Sequence, residues 1–487
     1  MNRRPEYQDL RKFLKVLEDR SLLQWVDQEV DKEWEITAVT RTLFRKHPPE
    51  NRPALGFRRV KGYDIPVVVG TVASSRAVYA LALGIEASVQ PSHARHEVEQ
   101  IIEKWGQAQE QPIPTELVSE APCQEIVLEG DDVDLTSFPI PTWTPEKDPG
   151  PYVTAPCVIS KDRKTGIQNV GIYRMQVKSP KHTGMLWDLP SQHGALNYDT
   201  WESVNEPMPV AVAVGVHPTV LMTAATKVPY GVDELTVSGA LNGAPVPVVK
   251  CKTADLEVPA MAEMIIEGEI APHEREIEGP FGEYTGYMGG PYELPIFRVK
   301  CITHRRAPIY QALFSQMPPS ESSLLRQIGE EARIWKHLVH ALKLPGVIDV
   351  HLPEAGGSYA ILWVRLEKRF AGHAQQVMSA AWSHHPSLAK WVIITDEDID
   401  IRDPFQREWV LSWRVEPQKD IFIMPNTASI LLDPSPAPPD VPLWGRQSSK
   451  VFVDATKKWE YPEIALPPQK YLDEAEKRWN SYGLEGC

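Results

Sequence analysis

Between Glu278 and Gly290 the chain reads EGPFGEYTGYMGG, which sets two carboxylates, Glu278 and Glu283, on either side of a Pro-Phe-Gly kink. Pro280 fixes one φ angle, while Gly279 and Gly282 allow backbone or ligand to approach closely, so the spacing of the two acids is tightly set. Ionisable groups held in fixed geometry are the raw material of acid–base chemistry. Taken alone, the same residues also describe a Gly-Pro turn carrying surface glutamates.

A second element adds to the first. QNVGIYRMQV reads as a strand with Asn169 and Arg174 five residues apart. That spacing puts the two side chains on opposite faces unless a bulge or bend intervenes, so one of them needs a local irregularity or they serve adjoining pockets. His93/His96 and His337/His340 each have helical i,i+3 spacing, but two ligands do not complete a metal site, and both pairs read as surface histidines. The chain carries no HExxH, no GxSxG elbow, no Walker loop and no GxGxxG after a strand, which removes the commonest hydrolase and nucleotide-binding classes.

These residues must be positioned by the surrounding elements. Leu10, Phe13, Leu14 and Leu17 recur at helical spacing, and a second helix is predicted from Glu35 to Lys46. PVVVGTVAS reads as a buried strand and HARHEVEQIIEKW as a helix. From about Glu125 the texture turns β-rich, with EIVLEG, YVTAPCVIS, IYRMQVK, PVAVAVGV, PVPVVKC, AEMIIEGEI and PIFRVKCIT punctuated by Pro, Gly and Asp, so a barrel or sandwich is predicted. From Ser322 a long helix through RIWKHLVHALKL leads into alternating strands (YAILWVRLEK, WVIITD, DIFIMP) and helices (HAQQVMSAAW, QREWVLSW), which predicts a separate α/β layer. DPSPAPPDVP reads as an extended loop, and QKYLDEAEKRW as a polar helix that could pack on a neighbouring subunit.

Length and composition bound the rest. A chain of 487 residues favours two or three domains. Its 45 prolines argue for fixed loops and short strands rather than a helical bundle. With 65 acidic against 51 basic residues and a formal charge of −14, no basic stripe suits nucleic acid. The five cysteines lack a CxxC pair, which fits a reducing cytoplasm better than a disulfide framework or a zinc site. No stretch is long and apolar enough for a signal peptide or a membrane span.

QNVGIYRMQV and EGPFGEYTGY, with SQHGA around His193 and GVDE ending at Glu234, closely resemble the UbiD-like decarboxylase family, whose members use prenylated FMN. The resemblance runs over almost the whole chain, through APCQ, GDDVDL, VVKCKTADLEVPA, AGHA and SKVFVDATKKW. It implies a reversible, non-oxidative decarboxylase of an aromatic, heteroaromatic or α,β-unsaturated carboxylic acid. Loss of CO₂ from an sp² carbon leaves an electron pair that no side chain accepts, so the cofactor must act as the sink.

By the same resemblance, Arg174, Glu278 and Glu283 match a Glu-Arg-Glu network. Arg174 is expected to attract the substrate carboxylate, Glu283 to donate the proton and Glu278 to take the Arg174 charge. Asn169, His193 and Glu234 match ligands for Mn²⁺ or Mg²⁺, with K⁺ nearby. Thr154, Gln192, Ala225, Thr226 and Lys450 stand where the family touches the flavin. A branch acting on polyprenylated hydroxybenzoate carries EGPYGDHTGY, whereas this chain has Phe281, Glu283 and Tyr284, which points away from a quinone-pathway substrate.

The implied fold is α/β. Residues 1–115 form an N-terminal α/β segment packed on the flavin domain, 116–315 a split-barrel prenylated-FMN domain, 316–345 a linker helix, and 346–487 a C-terminal α/β oligomerisation domain with a terminal helix. The site is expected in the cleft between the two large domains. The implied partners are the carboxylic acid, CO₂, a flavin prenyltransferase as cofactor supplier and further copies of the chain, from dimer to hexamer. Two other readings are a split-barrel flavin oxidoreductase using a nicotinamide donor and a non-catalytic subunit of a carboxylase complex.

Overall fold

A computed structural model describes residues 8–86, 94–187, 192–226, 228–438, 441 and 445–483. His93, Cys487 and part of the proline-rich loop fall outside the described residues. The N-terminal part runs α1 (Leu10–Asp19), β1 (Leu23–Val26), α2 (Glu35–Lys46), β2 (Ala54–Phe57), β3 (Val67–Val69), α3 (Arg76–Ala82) and α4 (Ala94–Glu110). Asp9 caps α1 by accepting from the Lys12 amide at 2.9 Å, and the predicted stripe Leu10, Phe13, Leu14, Leu17 is its buried face.

The β-rich part contributes β4 (Glu116–Leu117), β5 (Ile126–Glu129), β6 (Tyr152–Val153), β7 (Cys157–Lys161), β8 (Gln168–Ile172), β9 (Met175–Ser179), β10 (His182–Met185), α5 (His193–Glu202), β11 (Met208–Val214), α6 (Pro218–Ala225), α7 (Glu234–Asn242), β12 (Pro247–Lys250), β13 (Glu257–Pro259), β14 (Met264–Glu278), the hairpin β15 (Phe281–Gly282) and β16 (Met288–Gly289), β17 (Tyr292–His304) and β18 (Tyr310–Ala312). Nine of the strands make one sheet in the order β6-β9-β10-β17-β14-β11-β7-β8, with β5 paired to β17. Both faces are covered. On β11, Val210, Val212 and Val214 enter one apolar core while Ala211 and Ala213 enter another, as the period of two requires.

The sheet is curled, and the chain itself shows why. β8 ends the path and β9 lies one strand from its other end, yet only Tyr173 and Arg174 connect them. Three Cα–Cα steps reach about 11 Å at most, so the two ends must be folded toward each other into a half-barrel. β18 leaves this sheet and pairs in parallel with β3, completing the N-terminal sheet β1-β2-β3-β18.

α8 (Glu321–Trp335) opens on a capping box between Ser320 and Ser323, and its last turns loosen into a π-helical stretch, Lys336–Ala341. Buried Glu321 accepts from the amides of Gly70, Val72, Ala73 and Phe314, tying the helix to the N-terminal part. The C-terminal layer holds β19 (Val347–His351), β20 (Ile361–Leu366), α9 (His373–His384), β21 (Trp391–Asp396), α10 (Pro404–Arg414), α11 (Pro417–Asp420), β22 (Ile421–Ala428), β23 (Gln447–Ala455) and α12 (Gln469–Lys477). Its sheet order is β19-β20-β21-β23-β22.

Candidate active site

The two-residue link that curls the sheet carries Arg174. Because β8 stops at Ile172, Arg174 is released from strict alternation with Asn169, and the two join separate clusters: Asn169 with Glu234 and Arg174 with Glu278 and Glu283. Arg174 Nε and Nη2 donate to the two oxygens of Glu278 at 3.0 and 2.9 Å, and Nη1 donates to Glu283. Glu278 closes the long strand β14 and is fully buried. Glu283 sits at the turn of the β15–β16 hairpin, where its amide donates to the Tyr287 carbonyl at 2.9 Å.

The neighbours fix this arrangement. The amide of Gly279 donates to Gln176 Oε1 at 3.1 Å, the Tyr152 ring packs 4.5 Å from Phe281, and the Arg174 guanidinium lies 5.0 Å over Phe281. A Cβ at residue 289 would stand 2.7 Å from the Glu283 Cγ, so glycine is needed where the hairpin backs onto the acid. Burial pushes the Glu283 carboxyl above its ordinary range, although Arg174 pulls it down. Burial works against the Arg174 charge, but Glu278 and Glu283 more than compensate and hold it firmly protonated.

Asn169, His193 and Glu234 also meet. β8 presents Asn169, whose Nδ2 donates to Glu234 Oε1 at 2.8 Å, and the Val170 amide reaches Glu234 Oε2 at 2.7 Å. His193 Nδ1 lies 3.8 Å from Glu234 Oε1. Tyr173 positions the start of α5. Its hydroxyl accepts from the Gly194 amide at 3.1 Å, and a Cβ at 194 would fall 2.8 Å from its ring. The Asn169 Oδ1 is buried with no hydrogen-bond partner, as is Gln192 Oε1 next to His193. An amide oxygen, an imidazole and a carboxylate are a donor set suited to Mn²⁺ or Mg²⁺. A cation held by these three residues would satisfy the orphaned Asn169 oxygen. Burial raises Glu234 to about 7, a cost that a bound cation would offset.

A cavity of about 800 Å³ is lined by Arg174 and Glu283 together with Thr154, Ala225, Thr226 and Met222. α4 adds Ile101 and Trp105, α8 adds Arg326, and the C-terminal layer adds Tyr359 and His385, so the space lies between the large parts of the chain. Thr154 Oγ1 accepts from the Leu313 amide at 3.1 Å, and Thr226 Oγ1 donates to the Met222 carbonyl at 2.8 Å. Lys450 is not on this wall. It sits on β23 with Nζ donating to the Leu388 carbonyl at 2.8 Å, and burial lowers its amine to about 8. A smaller cavity, about 330 Å³ beside Asn426–Leu431, carries none of these groups.

His337 and His340 are held apart by separate partners: the former by Ala380 O and Ser383 Oγ, the latter by Glu99 at 3.0 Å. Sequence reasoning missed Gln176, Tyr152, Arg326 and Tyr359, which lie on four separate elements or loops and share no local pattern.

Three models of 3-octaprenyl-4-hydroxybenzoate carboxy-lyase domains match in succession: the N-terminal domain over residues 14–105, the Rift-related domain over 116–318 and the C-terminal domain over 323–455. Among solved structures, the UbiD-class enzyme HmfF from Pelotomaculum thermopropionicum in complex with FMN is 35% identical with a TM-score of 0.83, the match covering 96% of this chain and 100% of that one. An evolved dimeric form of that enzyme in complex with prenylated FMN gives 34%, a TM-score of 0.79 and coverages of 95% and 98%. Vanillic acid decarboxylase from Sedimentibacter hydroxybenzoicus in open form is 30% identical with a TM-score of 0.81, covering 98% of this chain and 100% of that one.

Proposed function

The chain belongs to the UbiD family of carboxy-lyases, and from that premise we propose that it is a reversible, non-oxidative decarboxylase of an aromatic, heteroaromatic or α,β-unsaturated carboxylic acid, working with prenylated FMN. One observation carries the reading: Arg174 is gripped by two acids on the wall of a cavity large enough for a flavin and a small acid. Neither a nicotinamide-dependent oxidoreductase nor an inactive subunit has a use for that triad.

Prenylated FMN, when bound, supplies the sink for the electron pair released at carbon, and a divalent ion would supply positive charge beside its phosphate. Thr154, Ala225 and Thr226 would hold the flavin, with Asn169, His193 and Glu234 for Mn²⁺ or Mg²⁺ and K⁺ beside them. The rest belongs to the chain. Glu278 occupies one side of the Arg174 fork, leaving Nη1 to Glu283. A substrate carboxylate arriving at Arg174 must share it with Glu283, and two adjacent anions are mutually unfavourable. Glu283, already raised by burial, therefore takes up a proton at its carboxyl as the substrate binds. Glu278 keeps the guanidinium in register and balanced, so Glu283 is free to deliver that proton to the carbon from which CO₂ has left. Leu186, Ile172, Leu313 and Leu325 line the same space and exclude the water that would compete with it.

The flavin would come from a separate prenyltransferase, and the protein would work in the cytoplasm as a homo-oligomer built through its C-terminal layer. The experiment is to load the protein with prenylated FMN, offer a panel of aromatic and unsaturated acids, and follow CO₂ release together with exchange of labelled bicarbonate. Absence of both across the panel, or NADH oxidation with ordinary FMN, would overturn the reading.

A further inference from the structure

The residues that meet at Glu234 are not the only ones drawn to that corner. Tyr173 fixes the backbone where α5 begins, through the Gly194 amide. A backbone contact leaves the direction of the His193 imidazole undecided, because two side-chain torsions still separate the ring from the chain. Its Nδ1 stands 3.8 Å from Glu234 Oε1, too far for a hydrogen bond to set the ring.

Tyr230 supplies that control. Its ring stands edge-on to the imidazole, with centroids 5.3 Å apart and planes at 80°, a favoured aromatic arrangement. Its hydroxyl donates to Asp162 Oδ2 at 2.6 Å and lies 3.4 Å from Asn197 Oδ1. Asp162 is a fixed anchor in the turn between β7 and β8. Its Oδ1 accepts from the amides of Lys164 and Thr165 at 2.8 and 2.7 Å and from the Thr165 hydroxyl at 3.0 Å. Asn197, one turn after His193 on α5, is itself tied to Ser160 Oγ on β7 at 3.0 Å. The phenol is therefore held at its tip as well as at its backbone.

The fold has little use of its own for this side chain. Tyr230 is 51% exposed and enters none of the apolar cores. It sits in segment 228–233, which forms neither helix nor strand and leads directly into α7 and Glu234. An aromatic ring kept at the surface and tethered there against a histidine is suited to steering that histidine.

We propose that Tyr230, anchored by Asp162, is a positioning residue for the divalent-metal centre, limiting the rotation of the His193 imidazole so that it shares one cation with Asn169 and Glu234. This role rests on the assignment of those three residues to Mn²⁺ or Mg²⁺ and adds to it a side chain that touches no ion. Restricting the ring before the ion arrives spares rotamer entropy that binding would otherwise cost.

The test is titration of the FMN-loaded protein with Mn²⁺, counting the unbound ion by its electron paramagnetic resonance signal. Tyr230→Ala should weaken Mn²⁺ binding by about 10–100-fold, the range of lost outer partners. Tyr230→Phe, which keeps the ring and loses the anchor, should fall between it and the wild type. The melting temperature of the metal-free protein should be unchanged in both. Action through the imidazole is read by a double-mutant cycle: in a His193→Ala background, Tyr230→Ala should cost nothing more. Wild-type affinity in Tyr230→Ala, the same fold-loss with and without His193, or a metal-free melting temperature that falls in step with affinity overturns the positioning role. Wild-type affinity in His193→Ala would instead overturn the metal assignment itself, and the role of Tyr230 with it.

Discussion

Arg174 and Glu278 form a bidentate pair, with bonds of 3.0 and 2.9 Å to a carboxylate that no solvent reaches. The fork sets the angle of the guanidinium as well as its charge. Arg174→Lys keeps the charge and loses the second parallel bond, so kcat is expected to fall by about 100-fold, as small misplacements of a reacting group do. Glu278→Ala leaves a cation buried without its main partner and should cost about 3–5 kcal/mol of stability. Thermal denaturation with steady-state kinetics on both variants checks the pair. A lysine variant with unimpaired turnover would show that orientation does not matter.

Glu283 lies above its ordinary range because it is buried, with Arg174 opposing. A proton donor is active in its neutral form, which exists below its pKa, so activity should be lost as pH rises. The descending limb of kcat is expected above the usual ~4.3 of a glutamic acid. Glu283→Gln should remove the limb and lower turnover by about 10²–10⁴-fold. A profile without that limb in the wild type, or full activity in the variant, would reassign the donor.

Much of this architecture is legible in the sequence where one element carries the whole signal. The stripe of α1, the bounds of α2 and the β-rich run from Glu125 follow from periodicity and turn residues. Arg174 is different. Its position depends on β8 and β9 lying near opposite ends of one sheet, and local periodicity contains nothing about which strands are neighbours. Asn169, His193 and Glu234 sit on a strand and the starts of two helices, so their spacing reports only loop lengths. Arg326 reads in the sequence as an ordinary charge on an amphipathic helix. Its stacking on the Tyr284 ring emerges only when α8 is packed against the hairpin.

The unpartnered Asn169 Oδ1 makes a direct prediction about metal binding. Asn169→Ala removes a neutral ligand and one of two hydrogen bonds to Glu234, leaving the Val170 amide in place, so the fold should persist while Mn²⁺ affinity falls at least as far as the about 10–100-fold typical of lost outer-shell partners. Metal analysis of the dialysed protein, with and without added Mn²⁺, reads this out. Unchanged metal content would remove Asn169 from the ligand set.

Glu331 joins three parts of the chain. It accepts from Arg76 at 3.1 Å, from Arg402 at 3.3 Å and from the Leu352 amide at 3.1 Å, with His351 Nδ1 at 2.8 Å. Burial opposes its ionisation, but Arg402, Arg76 and His351 outweigh that and hold the carboxyl far below its usual range. A depressed pKa gives stability that is fully present above the unfolded value, ~4.3, and is lost as pH falls toward the folded one. Glu331→Gln should therefore be less stable at pH 7, by about 3–5 kcal/mol, and lose less on acidification than the wild type. Melting curves from pH 7 to pH 3 would show the two approaching each other. Parallel curves would mean that the network carries no pH-linked stability.

β22 ends the C-terminal sheet with Ile421, Phe422, Ile423 and Met424 all exposed, Ile423 by 59%. One free edge with apolar side chains open on both faces invites non-specific pairing, and natural sheets blunt such edges with charge, proline or a covering element. Charge is absent here, since Ile421–Ala428 contains no Lys, Arg, Asp or Glu, and Pro425 stands at the register shift after Met424, which leaves Ile421–Met424 unblunted. A second copy of the chain is the covering element we expect, because a closed symmetric contact caps the edge where open pairing would grow into fibres. Replacing Phe422 and Ile423 with lysine should yield a folded monomer in sedimentation velocity, with the Arg174 site intact. An unchanged sedimentation coefficient in the double variant would place self-association elsewhere.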